Sequence, residues 1–391
     1  MEKKFIYLDH GASTPVHPQV LEAMLPYWTA VFGNPSSSHR QGRQANQALE
    51  AARESIAHLL HAQPDEIVFT GCGSESDNMA LRGVMHLARQ QNRGNHLIVS
   101  CIEHSAVLKT AVLLQDAFNF DLTILPVDAS GKVNPADVEA AIRPDTVLIS
   151  IMAANNEIGT MQPIEEIGTI AHAHNVLFHT DAVQAATVRR WDMAKLPIDL
   201  MSLAPHKFYG PKGVGILYVR EGIELFSTLT GGGQENGRRA GTSNVAFAVG
   251  AAEALKLVNE EMESRLAHYH ALTRPLIDGL TQAFPDDCIL TGHPTDRLAH
   301  NASFAFRHLS GNDLLMHLDM AGIGASSGSA CKTGNPKPSA TLEAIGLEPA
   351  WTKGGLRLTV GTAITEADIA YTLDRMKVIV PKLQMLSGGD Q

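Results

Sequence analysis

A lysine set between a proline turn and a glycine turn, Lys207 in "LMSLAPHKFYGPKGVGILYV", directly follows a short apolar run. At the end of a strand and in apolar surroundings, a lysine has a lowered pKa and can form a Schiff base with a carbonyl. Asp181 in "VLFHTDAVQAA" stands where another such run ends, with Gln184 three residues on. Its carboxylate could hold a protonated ring nitrogen while the amide reaches a ring oxygen, or it could cap a helix. A third run, "EIVFT", leads into "GCGSESDNMALRGV", a small-residue turn opening a helix. Exposed backbone N–H groups and a positive helix end suit a phosphate there, with the Ser74 hydroxyl as a further donor; an ordinary helix cap reads equally well. His104 in "CIEHSAVLKT" and the group Asn155, Asn156 and Glu157 in "SIMAANNEIGT" also follow apolar runs. Each of these alone is as consistent with a capping histidine or a plain turn.

A lone lysine is usually a solvated surface charge. Here a phosphate cradle, a carboxylate for a ring nitrogen and a lysine all map to one sheet edge. That is the set pyridoxal phosphate needs, because the protein must supply a Schiff-base lysine and a partner for the pyridinium nitrogen. Late in the chain, "ASSGSACKTGNPKPSA" adds one thiol, Cys331, among small, polar and chain-breaking residues. Small residues permit unusual backbone angles, prolines prevent regular structure, and Lys332 would favour the thiolate.

The elements that must position these residues are legible as a pattern. From about residue 65, the runs "EIVFT", "HLIVS", "LTILPV", "VLISIM", "VLFHT", "LMSLA" and "GILYV" alternate with helical stretches. This predicts an α/β fold with a mainly parallel, buried sheet, whose ligands gather beyond the carboxyl ends of the strands. A helical stretch from about Ser243 to Leu280 follows, then strand-like "NASFAF" and "GLRLTV" with helical "GNDLLMHLDMAG" and "ITEADIAYTLDRMKVIVPKL", a smaller α+β unit. The expected division is a large domain over 15–260 and a smaller one made of 1–14 and 261–391, the latter carrying the cysteine loop at about 325–340.

Composition excludes several classes. Hydrophobic residues make 44% and charged residues 18% of the 391, a globular mix with a large interior. The formal net charge is -10, from 31 Lys+Arg against 41 Asp+Glu, with no basic run to track a phosphate backbone, so no nucleic-acid partner is expected. No window approaches the roughly 20 apolar residues of a membrane span, and the start "MEKKFIYLDHGASTP" lacks a signal-type apolar stretch; a cytoplasmic protein with no membrane partner is the expectation. Cys72, Cys101, Cys288 and Cys331 are widely separated and form no C-x-x-C pair, and His172 and His174 point apart on a probable helix, so no metal is expected.

The blocks "YLDHGASTP", "FGNPSSSHRQG", "ESDN", "EHSAVL", "NNEIGT", "HTDAVQA", "HKFYGPKGVG", "GGGQENGRRAGT" and "SSGSAC", in this order over nearly the whole chain, resemble the cysteine desulfurases of the iron–sulfur cluster type, nearest to the nitrogen-fixation branch. The resemblance implies a homodimeric pyridoxal phosphate enzyme of the aspartate aminotransferase fold type I. Such enzymes convert L-cysteine to L-alanine, leave the sulfur as a cysteine persulfide, and hand it to an iron–sulfur scaffold protein or another acceptor. By the same resemblance, Lys207 carries the cofactor, Asp181 pairs its ring nitrogen, Gln184 its phenolic oxygen, and His104 stacks on the ring. Gly73, Ser74 and His206 hold the phosphate, and Thr242 reaches the phosphate bound by the partner subunit. Asn155 assists cofactor and substrate, Arg357 clamps the substrate carboxylate with Asn34 in support, and Cys331 receives the sulfur.

Three departures stand out against the family pattern. Ala204 and Pro205 precede His206 where serine and glycine are usual, Thr362 occupies a position that often holds arginine, and the chain stops soon after "LQMLSGGDQ". The first removes one hydroxyl contact to the phosphate. Related activities sharing most of these blocks are selenocysteine lyase and other class V aminotransferases, neither of which needs Cys331. A non-enzyme alternative is a cofactor-binding assembly partner.

Overall fold

A computed structural model describes residues 5–327 and 338–387. The first strand, β1 (Ile6–Tyr7), is followed by β2 (Ile67–Thr70), β3 (His96–Ser100), β4 (Asp121–Leu125), β5 (Thr146–Ser150), β6 (Leu177–Asp181), β7 (Leu200–Leu203) and β8 (Gly215–Val219). Strands β2 to β8 are the seven apolar runs of the sequence, displaced by two residues at most. They form one sheet of order β2-β8-β7-β6-β5-β3-β4. Pairing is parallel from β4 through β7, and antiparallel where β8 meets β7 and β2. The mainly parallel mixed sheet is as expected.

Both faces of this sheet are apolar because both are covered. Successive side chains of a strand point to opposite faces. Val68, Leu97, Val99, Leu148 and Leu217 therefore pack on the helices Gly73–Gln90 and Ser105–Phe118. Their neighbours Ile67, Phe69, Ile98, Ile149 and Ile216 pack on the helices Arg40–Leu60, Ile164–Ala173 and Val245–Glu260. This is why the runs read as continuous rather than alternating.

The remaining strands are β9 (Cys288–Leu290), β10 (Asn301–Phe306), β11 (Ile323–Gly324) and β12 (Gly355–Thr359). Strands β12, β10 and β9 make an antiparallel sheet, and β1 pairs in parallel with β11. A second core forms here, joining Ile6 and Leu8 to residues of the helices Met262–Ala283, Gly311–Met320 and Glu366–Ser387. The single helical stretch expected from Ser243 onward is two helices, because Glu261 (φ -95°, ψ 4°) leaves helical geometry between them. Among the described residues no helix is long and apolar enough to cross a membrane.

Strand β8 lies directly under the turn that opens the Gly73–Gln90 helix. A Cβ at Gly215 would stand 2.4 Å from the Cys72 carbonyl carbon and 2.5 Å from its oxygen, so only glycine allows that approach. Gly215→Ala is expected to destabilise the fold by about 1–3 kcal/mol through overpacking, read as a lowered midpoint in thermal or urea unfolding.

Candidate active site

Five elements converge on the cavity beyond the carboxyl ends of the central strands. The helix Gly73–Gln90 begins at Cys72, which is extended (φ -174°) and makes no side-chain cap, so the N–H groups of Gly73 and Ser74, which line the cavity, are left without a cap. Glu75 braces this turn: its carboxylate accepts from Gly71 N–H (2.7 Å) and pairs with Arg239 (2.7 Å). Gly73 faces Ala204 and Val183, whose side chains would lie 3.1 Å from any Cβ added there. At the end of β6, Asp181 is buried, and its Oδ1 accepts from the backbone N–H of Val183 (2.9 Å).

Lys207 ends a single 3-10 turn, Pro205–Lys207, that follows β7. Its ammonium donates to the backbone carbonyls of Gly11 (2.7 Å) and Ala12 (2.8 Å), and the Gln184 amide also donates to Gly11 (2.9 Å). His206 lies beside it with Nδ1 3.3 Å from Ser13 Oγ. His104 caps the helix Ser105–Phe118, its Nδ1 accepting from Ala106 N–H (3.2 Å), and remains exposed; the capping role and a place at the site coexist. On β12, Arg357 donates from Nη1 to the Asn156 carbonyl and from Nη2 to Asp9, both at 2.8 Å, while Nε is buried without a partner.

These residues enclose a cavity of about 300 Å³, lined by Gly73, Ser74, His104, Asp181, Gln184, His206, Lys207 and Arg357. Burial, helped by the Arg357 charge, pushes the Lys207 amine down to about 8. Burial and the Lys207 charge push His206 down to about 4. Burial raises Asp181 above the ordinary carboxylate range, against the opposing pull of His104 and Lys207.

Other expected residues lie elsewhere. Asn155 is buried, but its amide donates to the Ile102 carbonyl (2.9 Å) and its oxygen accepts from Glu157 (2.9 Å) and Ile158 (3.0 Å); its neighbour Asn156 lines the cavity instead. Asn34 accepts from Ser36 N–H (2.9 Å) in a turn outside the cavity. Thr242 lines a separate hollow of about 130 Å³ with Glu235 and Arg239. Cys331 lies outside the described residues. His172 and His174 do point apart, toward Asp199 (3.0 Å) and Glu139 (3.5 Å).

Two contributors escaped the sequence reading. Gly11 and Ala12, in the block "YLDHGASTP", hold the lysine. Asp77, in the quoted "ESDN", lines the same cavity while 1% exposed. Asp77, His104 and Asp181 bring donor atoms within 4.8 Å of one another, a spacing a metal could use. The Lys207 and Arg357 cations on the same cavity disfavour a divalent ion there.

The family model of the class-V aminotransferases matches residues 6–371. The chain belongs to that family. It is 46% identical to the cysteine desulfurase IscS of Methanosarcina thermophila, over 99% of this chain and 94% of that one. With the cysteine desulfurase IscS of Dictyoglomus turgidum it shares 43%, over 98% and 97%. Among solved structures, a NifS-like protein superimposes with a TM-score of 0.90 at 35% identity, covering 97% of this chain and 100% of the other. SspA in complex with cysteine gives 0.78 at 37%, covering 91% and 98%.

This aminotransferase family depends on pyridoxal phosphate. The donor set fits that group on three observations that share one cavity: a half-buried amine with a lowered pKa, a buried carboxylate, and an uncapped helix N-terminus. Only the neutral amine is nucleophilic, so uptake of pyridoxal phosphate by cofactor-free protein is expected to quicken with pH up to about 8 and then flatten. An ordinary lysine would keep gaining about tenfold per unit toward pH ~10. Stopped-flow absorbance across pH 6.5–10 distinguishes the two.

Proposed function

We propose that this chain is a cysteine desulfurase that converts L-cysteine to L-alanine and passes the sulfur, through a persulfide on Cys331, to acceptors for iron–sulfur cluster assembly. The observation that carries this reading is the convergence of the low-pKa Lys207 amine, Asp181, the open helix N-terminus and Arg357 on one cavity, in a chain 43–46% identical to IscS desulfurases.

In this reading Lys207 bears the cofactor, Asp181 faces its ring nitrogen, Gln184 its phenolic oxygen, and His104 its ring face. Gly73, Ser74 and His206 take the phosphate, without the hydroxyl that Ala204 lacks. When bound, pyridoxal phosphate supplies the electron sink that lets the substrate α-carbon lose its proton. Lys207, with its pKa near 8, can accept and return a proton near neutrality, and His104 stands at the same mouth as a second proton carrier. The Arg357 fork grips the substrate carboxylate in competition with Asp9; Asn155 acts from behind the cavity by holding the turn that carries Asn156, and Asn34 would serve the partner's cavity.

The segment holding Cys331 is bounded by anchored residues. Ser326 exchanges backbone hydrogen bonds with Arg357, and Ser339 donates its hydroxyl to the buried Glu157. Ser326, and Glu157 and Ala340 beside the second anchor, border a second hollow of about 540 Å³ that shares His104, Asn156 and Arg357 with the cofactor cavity.

The reading extends to a cytoplasmic homodimer. Leu21, Leu25, Trp28 and Phe32 are half-exposed or more on one N-terminal stretch, an apolar surface that a second copy would cover. Thr242, outside its own chain's cavity, is then free to serve the partner's. The proposed domains are 15–260 and 1–14 with 261–391, a division supported by the second core that joins Ile6 and Leu8 to the C-terminal helices. An iron–sulfur scaffold, in nitrogen fixation or general assembly, is the proposed acceptor.

Cys331→Ser is expected to hold the cofactor yet form neither alanine nor sulfide from L-cysteine; normal alanine production would shift the reading to a lyase or aminotransferase. Borohydride reduction and peptide mapping should place the cofactor on the peptide containing Lys207, and on none in Lys207→Ala. Arg357→Lys should raise KM for cysteine roughly ten- to a hundredfold, the cost of about 1.5–3 kcal/mol for charged hydrogen bonds that lysine cannot make in pairs.

A further inference from the structure

Three buried carboxyls stand behind the cavity: Asp77, Glu103 and Asp181. Glu103 has a structural explanation, since it accepts from the Ser100 hydroxyl and twice from Met152 N–H (3.0 and 3.1 Å). Asp77 is held less completely: it is 1% exposed and lines the cavity, its side chain is hydrogen-bonded by Ser202, and its Oδ1 has no partner. A buried charge left this way is among the most costly groups a fold can carry.

Among the described residues, no lysine or arginine pairs with it. The nearest basic group is His179, 3.8 Å from Asp77 Oδ1. Both His179 nitrogens are already taken by hydroxyls, Ser150 (2.8 Å) and Ser202 (3.0 Å), and burial pushes the ring down to about 3, so it is neutral. Lys207 and His104 pull on Asp181, and His104 also brings a ring nitrogen within 4.8 Å of Asp77. The charged neighbours Asp77 does feel are Asp181, with donor atoms within 4.8 Å, and Glu103. Two buried carboxylates at such range cannot both ionise near neutrality, and the pair titrates as a unit.

We propose that Asp77 is a positioning residue: it holds the one proton that it and Asp181 share, so that the negative charge stays on Asp181, where it faces Lys207 and the cofactor's ring nitrogen. Burial first, and the Asp181 charge second, raise Asp77 well above the ordinary carboxylate range, in the direction this requires. The ring-nitrogen part rests on the proposed cofactor reading; the shared proton does not.

The sign of the pH dependence follows. A carboxyl that binds its proton more tightly folded than unfolded adds stability at low pH, and that stability is lost as pH rises from the ordinary carboxylate range through the folded value. Thermal midpoints of the loaded wild type and of Asp77→Asn, which is neutral at every pH and nearly the same shape, should therefore diverge with pH. The variant gains on the wild type as pH rises above the ordinary carboxylate range. Parallel curves, or a variant weakened equally at all pH values, would overturn the proposal. Should Asp77→Asn fail to fold, infrared spectra of loaded wild type carrying 13C-carboxyl aspartate give the same answer without a substitution. An aspartate carboxyl that keeps its neutral-acid band at pH 7.5 is expected, and its absence contradicts the shared proton. A wild type that shows this band but takes up no pyridoxal phosphate would leave the acid pair standing and refute the cofactor reading instead.

Discussion

The hydrogen bonds from Lys207 to the carbonyls of Gly11 and Ala12 hold the site together. An amine buried at the end of a sheet must be solvated by the protein, and here an N-terminal segment does so. That segment is itself fixed to β12: Gly11 N–H donates to Thr359 Oγ1 (2.8 Å), and Asp9 pairs with Arg357 (2.8 Å). The strap therefore ties the lysine on the large sheet to the arginine on the small one. A Cβ at Gly11 would stand 3.1 Å from Thr359, so the residue that solvates the lysine has little room for a side chain.

Charge is sorted within the cavity by the same arrangement. The cations Lys207 and Arg357 lie on the side of the strap, and the acids Asp77, Glu103 and Asp181 lie deeper, on the Gly73–Gln90 helix and at the ends of the central strands. Desolvation lowers the lysine and raises the acids, so proton positions in the site respond to small changes in what fills it. His206 and His179 are driven neutral by burial and serve as hydrogen-bonding groups rather than charges.

What could be read from the sequence was what local rules govern. Seven apolar runs became seven strands because both faces of a parallel sheet are buried, and residues just after those runs, Ser74, His104, Asp181 and Lys207, came together because strand ends share an edge. Arg357 needed the family resemblance, since its place depends on the second sheet. Asp77 was hidden because its role depends on the rotation of a helix against the sheet, and Gly11 and Ala12 because they act through carbonyls that every residue has. Adjacent asparagines illustrate the limit: tertiary hydrogen bonds turn Asn155 into the backbone and leave Asn156 on the cavity. For Thr242 and Asn34, one chain's sequence does not say which copy's cavity they would serve.

Sulfur transfer to the chain is tested most directly by intact-protein mass spectrometry of the pyridoxal phosphate-loaded protein after brief exposure to L-cysteine without reductant. The expected result is a gain of one sulfur atom that reductant removes and that Cys331→Ser does not show. A loaded protein whose mass stays unchanged, or one that gains sulfur equally in Cys331→Ser, would contradict the desulfurase account.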